Sequence, residues 1–224
     1  MREESAAKMP RQNRVTPFST LIATAARGTF TGNRGCLHDD HEQIRRQFQG
    51  KRWIICLLDF KGRKRSIMTP GRYTELFFLD EATAFAAGHR PCAECQRERF
   101  NLFRETWAKA NPELAETPRP AATNLDTILH QDRIMTSSQL QRFCDSIENL
   151  PDGSFVTDDE QNAYLVWKNQ LLRWHPAGYE PPLIGTIRYP VRVLTPASVV
   201  RTLAAGYPVS IHFSSFQGIE KSQQ

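Results

Sequence analysis

Apolar segments separated by turn-forming residues run through the first half of the chain and predict a small β-sheet. The segment KRWIICLLDF (51–60) is almost continuously apolar, β-branched or aromatic, which is typical of a buried strand. The polar KGRK (61–64) is the predicted turn, and RSIM (65–68) is the predicted returning strand. After a Pro-Gly break, ELFFL (75–79) predicts a third strand.

Helical signals alternate with these strands. Residues 38–49 (HDDHEQIRRQFQ) carry acids early, bases late and two apolar residues four positions apart. They predict a short amphipathic helix whose charges suit the helix dipole. Asp80 is a suitable N-cap for the helix EATAFAA, which Gly88 is suited to end. A further helix is predicted from about residue 93 to residue 109, with three aromatic residues on one face.

The second half begins after a proline-rich segment. Residues 111–122 contain three prolines and show no apolar periodicity, so they predict a linker. The pattern beyond it predicts a helix at 137–148 and then a β-hairpin, formed by 164–167 and 171–174 around a three-residue loop. A strand is predicted at 186–195 and another at 207–213. Between these two strands the pattern predicts a helix that is opened by Pro196 and capped by Gly206.

These elements predict an α+β fold in two units. We expect a disordered tail at residues 1–15, a zinc-binding domain at 16–110, the linker at 111–122 and a small α+β domain of unassigned type at 123–224.

Composition restricts the cellular setting. With 40% hydrophobic residues the chain can bury a core without disulfides, and no apolar run approaches the ~18 residues of a membrane span. The N-terminal MREESAAKMPRQNRV lacks the apolar region of a secretory signal, so we expect a cytoplasmic protein. In that reducing compartment, closely spaced cysteines are more often metal ligands than disulfides.

The spacing of the cysteines predicts one zinc site. Cys92 and Cys95 form a C-x-x-C turn at the start of a helix, where two thiolates can point at one ion. Cys36 and His38 are two residues apart, on one face of an extended segment, and complete the predicted Zn²⁺ ligand set. Cys56, inside the apolar WIICLL, is the alternative fourth ligand, and its competing role is that of a small buried core residue.

Two segments of this region resemble a known family. The stretch LFFLDEATAFAAGHRPCAECQRERF (76–100), and more weakly GNRGCLH (32–38), resemble the zinc-binding domain of Ada-type DNA repair proteins, over roughly residues 30–105. The resemblance implies a four-ligand zinc domain that contacts the DNA backbone, and in the family one zinc-bound cysteine accepts a methyl group from a phosphotriester. Cys92 and Cys95 match the second ligand pair of that family. The first pair, C-x-x-x-C, has no counterpart in this chain.

Charge is unevenly distributed along the chain. Residues 27–104 hold 15 Lys/Arg against 9 Asp/Glu, whereas residues 122–224 hold 8 against 10. A basic zinc-containing half favours an anionic partner, with nucleic acid (DNA ahead of RNA) as the first choice, although a solvated basic face explains the same numbers equally well. The candidate phosphate contacts are Arg34, Arg45, Arg46, Lys61, Arg63, Lys64 and Arg65.

Two other functional classes remain open from the sequence. An enzyme with its site in or beside the second half would use a purely structural zinc, with LHQDR (129–133), His175 and Tyr179 lining a pocket. A loop network without chemistry explains the same polar residues better than a pocket does. A third functional class is an interaction module that catalyses no reaction. The oligomeric state is not specified by the sequence.

Overall fold

The first half of the chain forms a mixed six-stranded sheet. The computed structural model describes residues 9–63, 66–137, 144–158, 161–182 and 191–214. The sheet order is β2-β1-β5-β3-β4-β6, with parallel pairing of β1 to β5 and of β4 to β6 and antiparallel pairing elsewhere. Its strands are β1 (Gln12–Val15), β2 (Leu21–Ala23), β3 (Phe30–Asn33), β4 (Ile54–Leu57), β5 (Leu76–Phe78) and β6 (Arg90–Pro91).

A second six-stranded sheet occupies the other half, in the order β11-β10-β9-β8-β12-β7. All of its pairs are antiparallel. Its strands are β7 (Cys144–Asp145), β8 (Phe155–Thr157), β9 (Ala163–Trp167), β10 (Gln170–His175), β11 (Gly178–Pro182) and β12 (Val191–Val193). The helices are α1 (Glu81–Ala86), α2 (Arg97–Ala110), α3 (Ala122–Ser137) and α4 (Ala197–Ala204). The predicted α+β class is therefore confirmed, and no helix of the described residues has the length and apolarity needed to cross a membrane.

One hydrophobic cluster includes residues from both halves. Phe85 of α1 and Trp107 of α2 lie in it together with Leu125 of α3 and Leu203 of α4. Burial of these large side chains provides most of the favourable free energy of packing between the helices. The predicted division at 111–122 stays a prediction, because a shared core is compatible with either one domain or two closely packed units.

The start of α1 joins the two sheets through two adjacent carboxylates. Asp80 is the N-cap as predicted, and its Oδ1 accepts a hydrogen bond from the backbone N–H of Thr83 at 2.8 Å. Its Oδ2 accepts from the Tyr179 hydroxyl at 2.7 Å and from the backbone N–H of His212 at 3.0 Å. The pKa of Tyr179 is raised well above its usual value by burial and by the Asp80 charge, so the phenol stays a donor.

Glu81 makes the equivalent connection beside it and is fully buried. It accepts hydrogen bonds from the Tyr207 hydroxyl at 2.9 Å and from the backbone N–H of Ser210 at 2.8 Å, and it forms an ion pair with Arg99. A buried carboxylate is tolerated only when its acceptor sites are filled in this way. The pair Asp80 and Glu81 therefore fixes α1 to the last described segment of the chain.

Some predicted elements differ from the structure. Residues 38–49 form no helix, because the Asp39 carboxylate accepts hydrogen bonds from the backbone N–H groups of His41 and Gln43 and closes a turn instead. Residues 12–15, predicted within the tail, form β1, while residues 1–8 lie outside the described part of the chain.

The remaining differences involve shorter segments. Within the predicted helix 137–148, residues 144–145 are a strand and 147–149 a 3₁₀ turn, and 138–143 are not described. No strand forms at 66–68 or 207–213. The predicted hairpin is present, with a two-residue turn in which Lys168 and Asn169 have φ of 49° and 58°.

Limited proteolysis should cut the chain first at residues 116–119, which are exposed and lie in no helix or strand. The two fragments should nevertheless co-elute on size exclusion, because Asn111 is bonded to Ser198 and Arg201 of α4 and the helices share one core. Proteinase K digestion with mass spectrometry measures the first cut. A first cut within 51–60 or 164–174 would contradict this expectation.

Candidate metal centre

Three cysteine sulfurs come together where β4, β6 and the start of α2 meet. Cys56 lies on β4 and Cys92 directly follows β6. In the parallel pairing of these strands Ile54 is opposite Arg90 and Ile55 opposite Pro91. The register therefore continues to place Cys56 beside Cys92.

The turn before α2 brings in the third cysteine. The Sγ atoms of Cys56, Cys92 and Cys95 all lie within 4.8 Å of one another. Sulfurs bound to one tetrahedral zinc at about 2.3 Å are about 3.8 Å apart, so only small rotations separate this cluster from a ligand set. The metal-binding prediction is confirmed to this extent, since a group that can hold a metal ion is present.

Backbone and amide hydrogen bonds hold the cysteine turn against the sheet. The backbone N–H of Cys92 donates to the carbonyl of Ile55 at 2.9 Å. The side chain of Gln96 donates to the same carbonyl at 2.9 Å. The backbone N–H of Glu94 points at Cys92 Sγ, 3.4 Å away, as is suited to a thiolate. The position of the two C-x-x-C sulfurs is thus determined by β4 as much as by their own turn.

The three thiols influence one another's ionisation. Hydrogen bonds from Cys56 and Cys95 lower the pKa of Cys92, because they stabilise its thiolate. The same contact raises the pKa of Cys56. On ionising, the Cys56 thiol would lose the hydrogen bond that it donates and would become a second negative charge beside the Cys92 thiolate. Without a cation the cluster therefore favours a single thiolate, and three thiolates together require a positive ion between them.

Cys36 and His38 do not belong to this cluster, so the structure does not bring the four predicted ligands together. In the pairing of β3 with β4, Thr31 is opposite Cys56 and Asn33 is opposite Ile54, so the chain moves away from Cys56 before reaching Cys36. No ligand atom of Cys36 or His38 lies within 4.8 Å of all three sulfurs. Both ring nitrogens of His38 are already engaged, with Thr74 Oγ1 at 2.6 Å and the carbonyl of Thr69 at 3.3 Å.

Cys56 is the alternative ligand that the sequence offers, and the structure places it beside Cys92 and Cys95. The misleading signal was the apolar segment around it, which suggested a wholly buried strand. In the structure Cys56 is partly exposed, and Leu57 and Leu58 after it are exposed. No local pattern reveals the pairing of β4 with β6, which is what brings the sulfurs together.

The candidate phosphate-binding residues have different environments. Arg34 is fully buried and donates to Ser19, so it is not a surface contact. Arg45 is exposed and paired with Asp39 at 2.6 Å, and Arg46 is exposed. Lys61 and Arg63 are exposed on the loop after β4, whereas Lys64 and Arg65 lie outside the described residues.

The loop after β4 is linked to the cysteine turn. Arg63 forms an ion pair at 2.7 Å with Glu94, which lies between Cys92 and Cys95 in the sequence. The charged groups of Lys61 and Arg63 each lie 5.2 Å from the centre of the Phe60 ring. We call residues 58–63 the basic loop.

The polar residues considered for an enzyme site lie in two separate environments. His130 and Arg133 of α3 pack around Trp53 in the first half of the chain. Tyr179 is bonded to Asp80, and the His175 Nδ1 accepts from the backbone N–H of Ala177 at 3.3 Å. The structure therefore engages these residues with different partners.

Comparison with known proteins adds no assignment. No protein-family model matches the chain, and no similar curated protein or solved structure was found.

Proposed function

We propose that the protein binds one Zn²⁺ through Cys56, Cys92 and Cys95, and that this centre supports the basic loop for contact with the nucleic-acid backbone, DNA in preference to RNA. The observation that carries the proposal is the three-cysteine cluster at the base of that loop. The resemblance of residues 76–100 to the Ada-type zinc domain also implies zinc binding and contact with the DNA backbone.

The donor set favours zinc over harder cations. Thiolates bind Zn²⁺ strongly, whereas Mg²⁺ and Ca²⁺ prefer oxygen ligands. Bound zinc would keep all three cysteines as thiolates and thereby fix β4, β6 and α2 to one another. Three protein sulfurs leave a fourth position for water or another ligand, because the described residues offer no fourth His, Cys, Asp or Glu within the cluster.

The geometry of the basic loop supports a role in phosphate contact. It starts two residues after Cys56 on one side and is tied through Arg63 to Glu94 on the other, so both anchors belong to the cysteine centre. Lys61 and Gly62 at its tip have φ of 55° and 63°, which gives a tight turn with exposed basic side chains. The Arg63–Glu94 pair is exposed and worth at most about 1 kcal/mol, so a phosphate can replace Glu94 at little cost.

Binding should be nearly independent of sequence and should weaken steeply with salt, because phosphate contacts carry no base information and release counterions. We expect the double variant Lys61→Gln/Arg63→Gln to bind a DNA duplex more weakly. Its plot of log affinity against log salt should be flatter by about 0.9 for each lost contact. Fluorescence anisotropy with a labelled duplex at several salt concentrations measures both quantities.

The matched control is Lys168→Gln/Arg173→Gln, which removes the same charge from two exposed residues of the second sheet. It should leave the salt slope of the wild type unchanged, and zinc content should be unaltered in both variants. Absence of affinity for DNA and RNA at low salt, or equal slopes for the two double variants, would rule out the proposed contact.

A further inference from the structure

A cavity at the junction of the two sheets contains two buried arginines beside a tryptophan. Its volume is about 270 Å³, which is near the lower limit for small-molecule sites. It lies between the turn from β1 to β2, the segment before β4, the end of α1, α3 and the segment before α4. The residues that matter for its chemistry are Ser19, Arg34, Phe48, Trp53, Arg133 and Ile134.

Arg34 is held in this cavity by neutral groups only. It is 0% exposed, and it donates to Ser19 Oγ at 2.6 Å and to the Ser19 carbonyl at 2.9 Å. Its Nε has no hydrogen-bond partner in the described part of the chain. The centre of its guanidinium lies 4.8 Å from the centre of the Trp53 ring.

Arg133 of α3 approaches the same tryptophan at 4.3 Å and is 4% exposed. One terminal nitrogen donates to the carbonyl of Lys51 at 2.9 Å and lies 3.3 Å from His130 Nδ1. Its Nε and its other terminal nitrogen have no hydrogen-bond partner. A side chain at Gly88 would come within 3.0 Å of the Arg133 side chain, so the glycine that ends α1 also makes room for this arginine.

Neither buried cation has a paired carboxylate among the described residues. Asp126, the acid with the largest effect on Arg133, is itself bonded to Arg90 at two positions. Burial lowers the pKa of Arg34 to about 10 and that of Arg133 to about 9. The neighbouring His89 stays neutral and adds no third positive charge, since burial and the two arginines lower its pKa well below the usual value. Two uncompensated buried charges are costly, and an anion in the cavity would offset that cost.

We propose that this cavity is a binding site for a small molecule bearing a phosphate or carboxylate group, with Arg34 and Arg133 as its anion-binding residues. Guanidinium groups match both anions through paired N–H donors, and three guanidinium nitrogens of this pair have no hydrogen-bond partner among the described residues. Phe48 and Ile134 line the cavity and are partly exposed, which gives the ligand an apolar contact at the entrance. A nucleic-acid duplex is too wide to reach arginines this deeply buried, so the site is independent of the basic loop.

Isothermal titration of the zinc-loaded full chain with phosphate, acetate or chloride, at constant ionic strength, tests the site. Saturable binding of phosphate alone identifies a phosphoryl group, binding of acetate alone identifies a carboxylate, and either supports the proposal. Arg34→Met and Arg133→Met should each weaken that binding at least about tenfold, whereas Arg173→Met, at an exposed arginine of the second sheet, should not change it. No binding of either anion above that of chloride, or unchanged binding in both buried-site variants, overturns the proposal.

Tryptophan fluorescence of the wild type tests the same site without relying on variants that fail to fold. Anion binding beside Trp53 should change the tryptophan fluorescence with the same midpoint as the calorimetric titration. Trp53→Phe should remove this change, because the other tryptophans do not line the cavity. A fluorescence change that persists in Trp53→Phe would place the anion elsewhere and refute the assignment. The outcome of these anion titrations does not depend on whether the basic loop binds nucleic acid.

Discussion

Replacing Cys56 by serine is expected to lower zinc content from about one ion per chain to near zero, while Cys36→Ser leaves it unchanged. Cys56 is one of only three sulfurs of the described residues that share a site, and two remaining thiolates cannot hold a structural zinc with high affinity. Cys36 is the matched control, because it is also a partly exposed free cysteine of the first half. Elemental analysis of the purified variants measures the metal.

Loss of zinc should also destabilise the fold. Binding free energy at a structural zinc site is folding free energy, and in small zinc domains it amounts to roughly 10–16 kcal/mol at neutral pH. We expect Cys56→Ser and the chelator-treated wild type to unfold at similar, lower temperatures. If Cys36→Ser loses the metal and Cys56→Ser keeps it, Cys56 is not a ligand and the ligand set predicted from sequence spacing is right.

Replacing Asp126 by alanine should lower the free energy of unfolding by about 3–5 kcal/mol, because it leaves the buried Arg90 without its counterion. Two nitrogens of Arg90 donate to the two carboxylate oxygens of Asp126, each at 2.8 Å, and the two side chains are only 2% and 7% exposed. Arg90 also lies 4.8 Å from the ring centre of Phe100, so it cannot easily turn to solvent.

The comparison that isolates burial is Glu105→Ala, which breaks the ion pair of Glu105 with Arg119. That pair is formed at 2.7 Å between side chains that are 44% and 62% exposed, so its loss should cost less than about 1 kcal/mol. Urea denaturation of both variants and the wild type measures the difference. Equal effects of the two substitutions would contradict the assigned importance of burial.

Elements with strong local signals were predictable from the sequence. The helix between Asp80 and Gly88 has a side-chain cap at one end and a positive φ of 80° at the other, and both are properties of single residue types. The hairpin of β9 and β10 combines two apolar runs with a short polar turn. In these places the chemistry of a few adjacent residues determines the backbone.

Features that depend on distant contacts were not predictable. The short strand β1 contains a buried arginine, Arg14, whose guanidinium bonds to the carbonyls of Ala26 and Pro176, and no propensity scale indicates this. Cys56 reaches Cys92 through parallel pairing of two strands more than 30 residues apart. The charge distribution along the chain suggested that Arg34 is an exposed phosphate contact. In the structure Arg34 is buried, because it donates hydrogen bonds to Ser19 in the turn between β1 and β2.

The carboxylates at the start of α1 have a consequence for synthesis on the ribosome. Apart from the local cap with Thr83, the tyrosine partners of Asp80 and Glu81 follow 99 and 126 residues later, and their distant backbone partners follow 132 and 129 residues later. During translation both acids emerge long before any of these donors, and until then water must solvate them. The N-terminal end of α1 therefore cannot reach its final buried state before residue 212 has left the ribosome, so the two sheets complete their packing only after both halves have been synthesised.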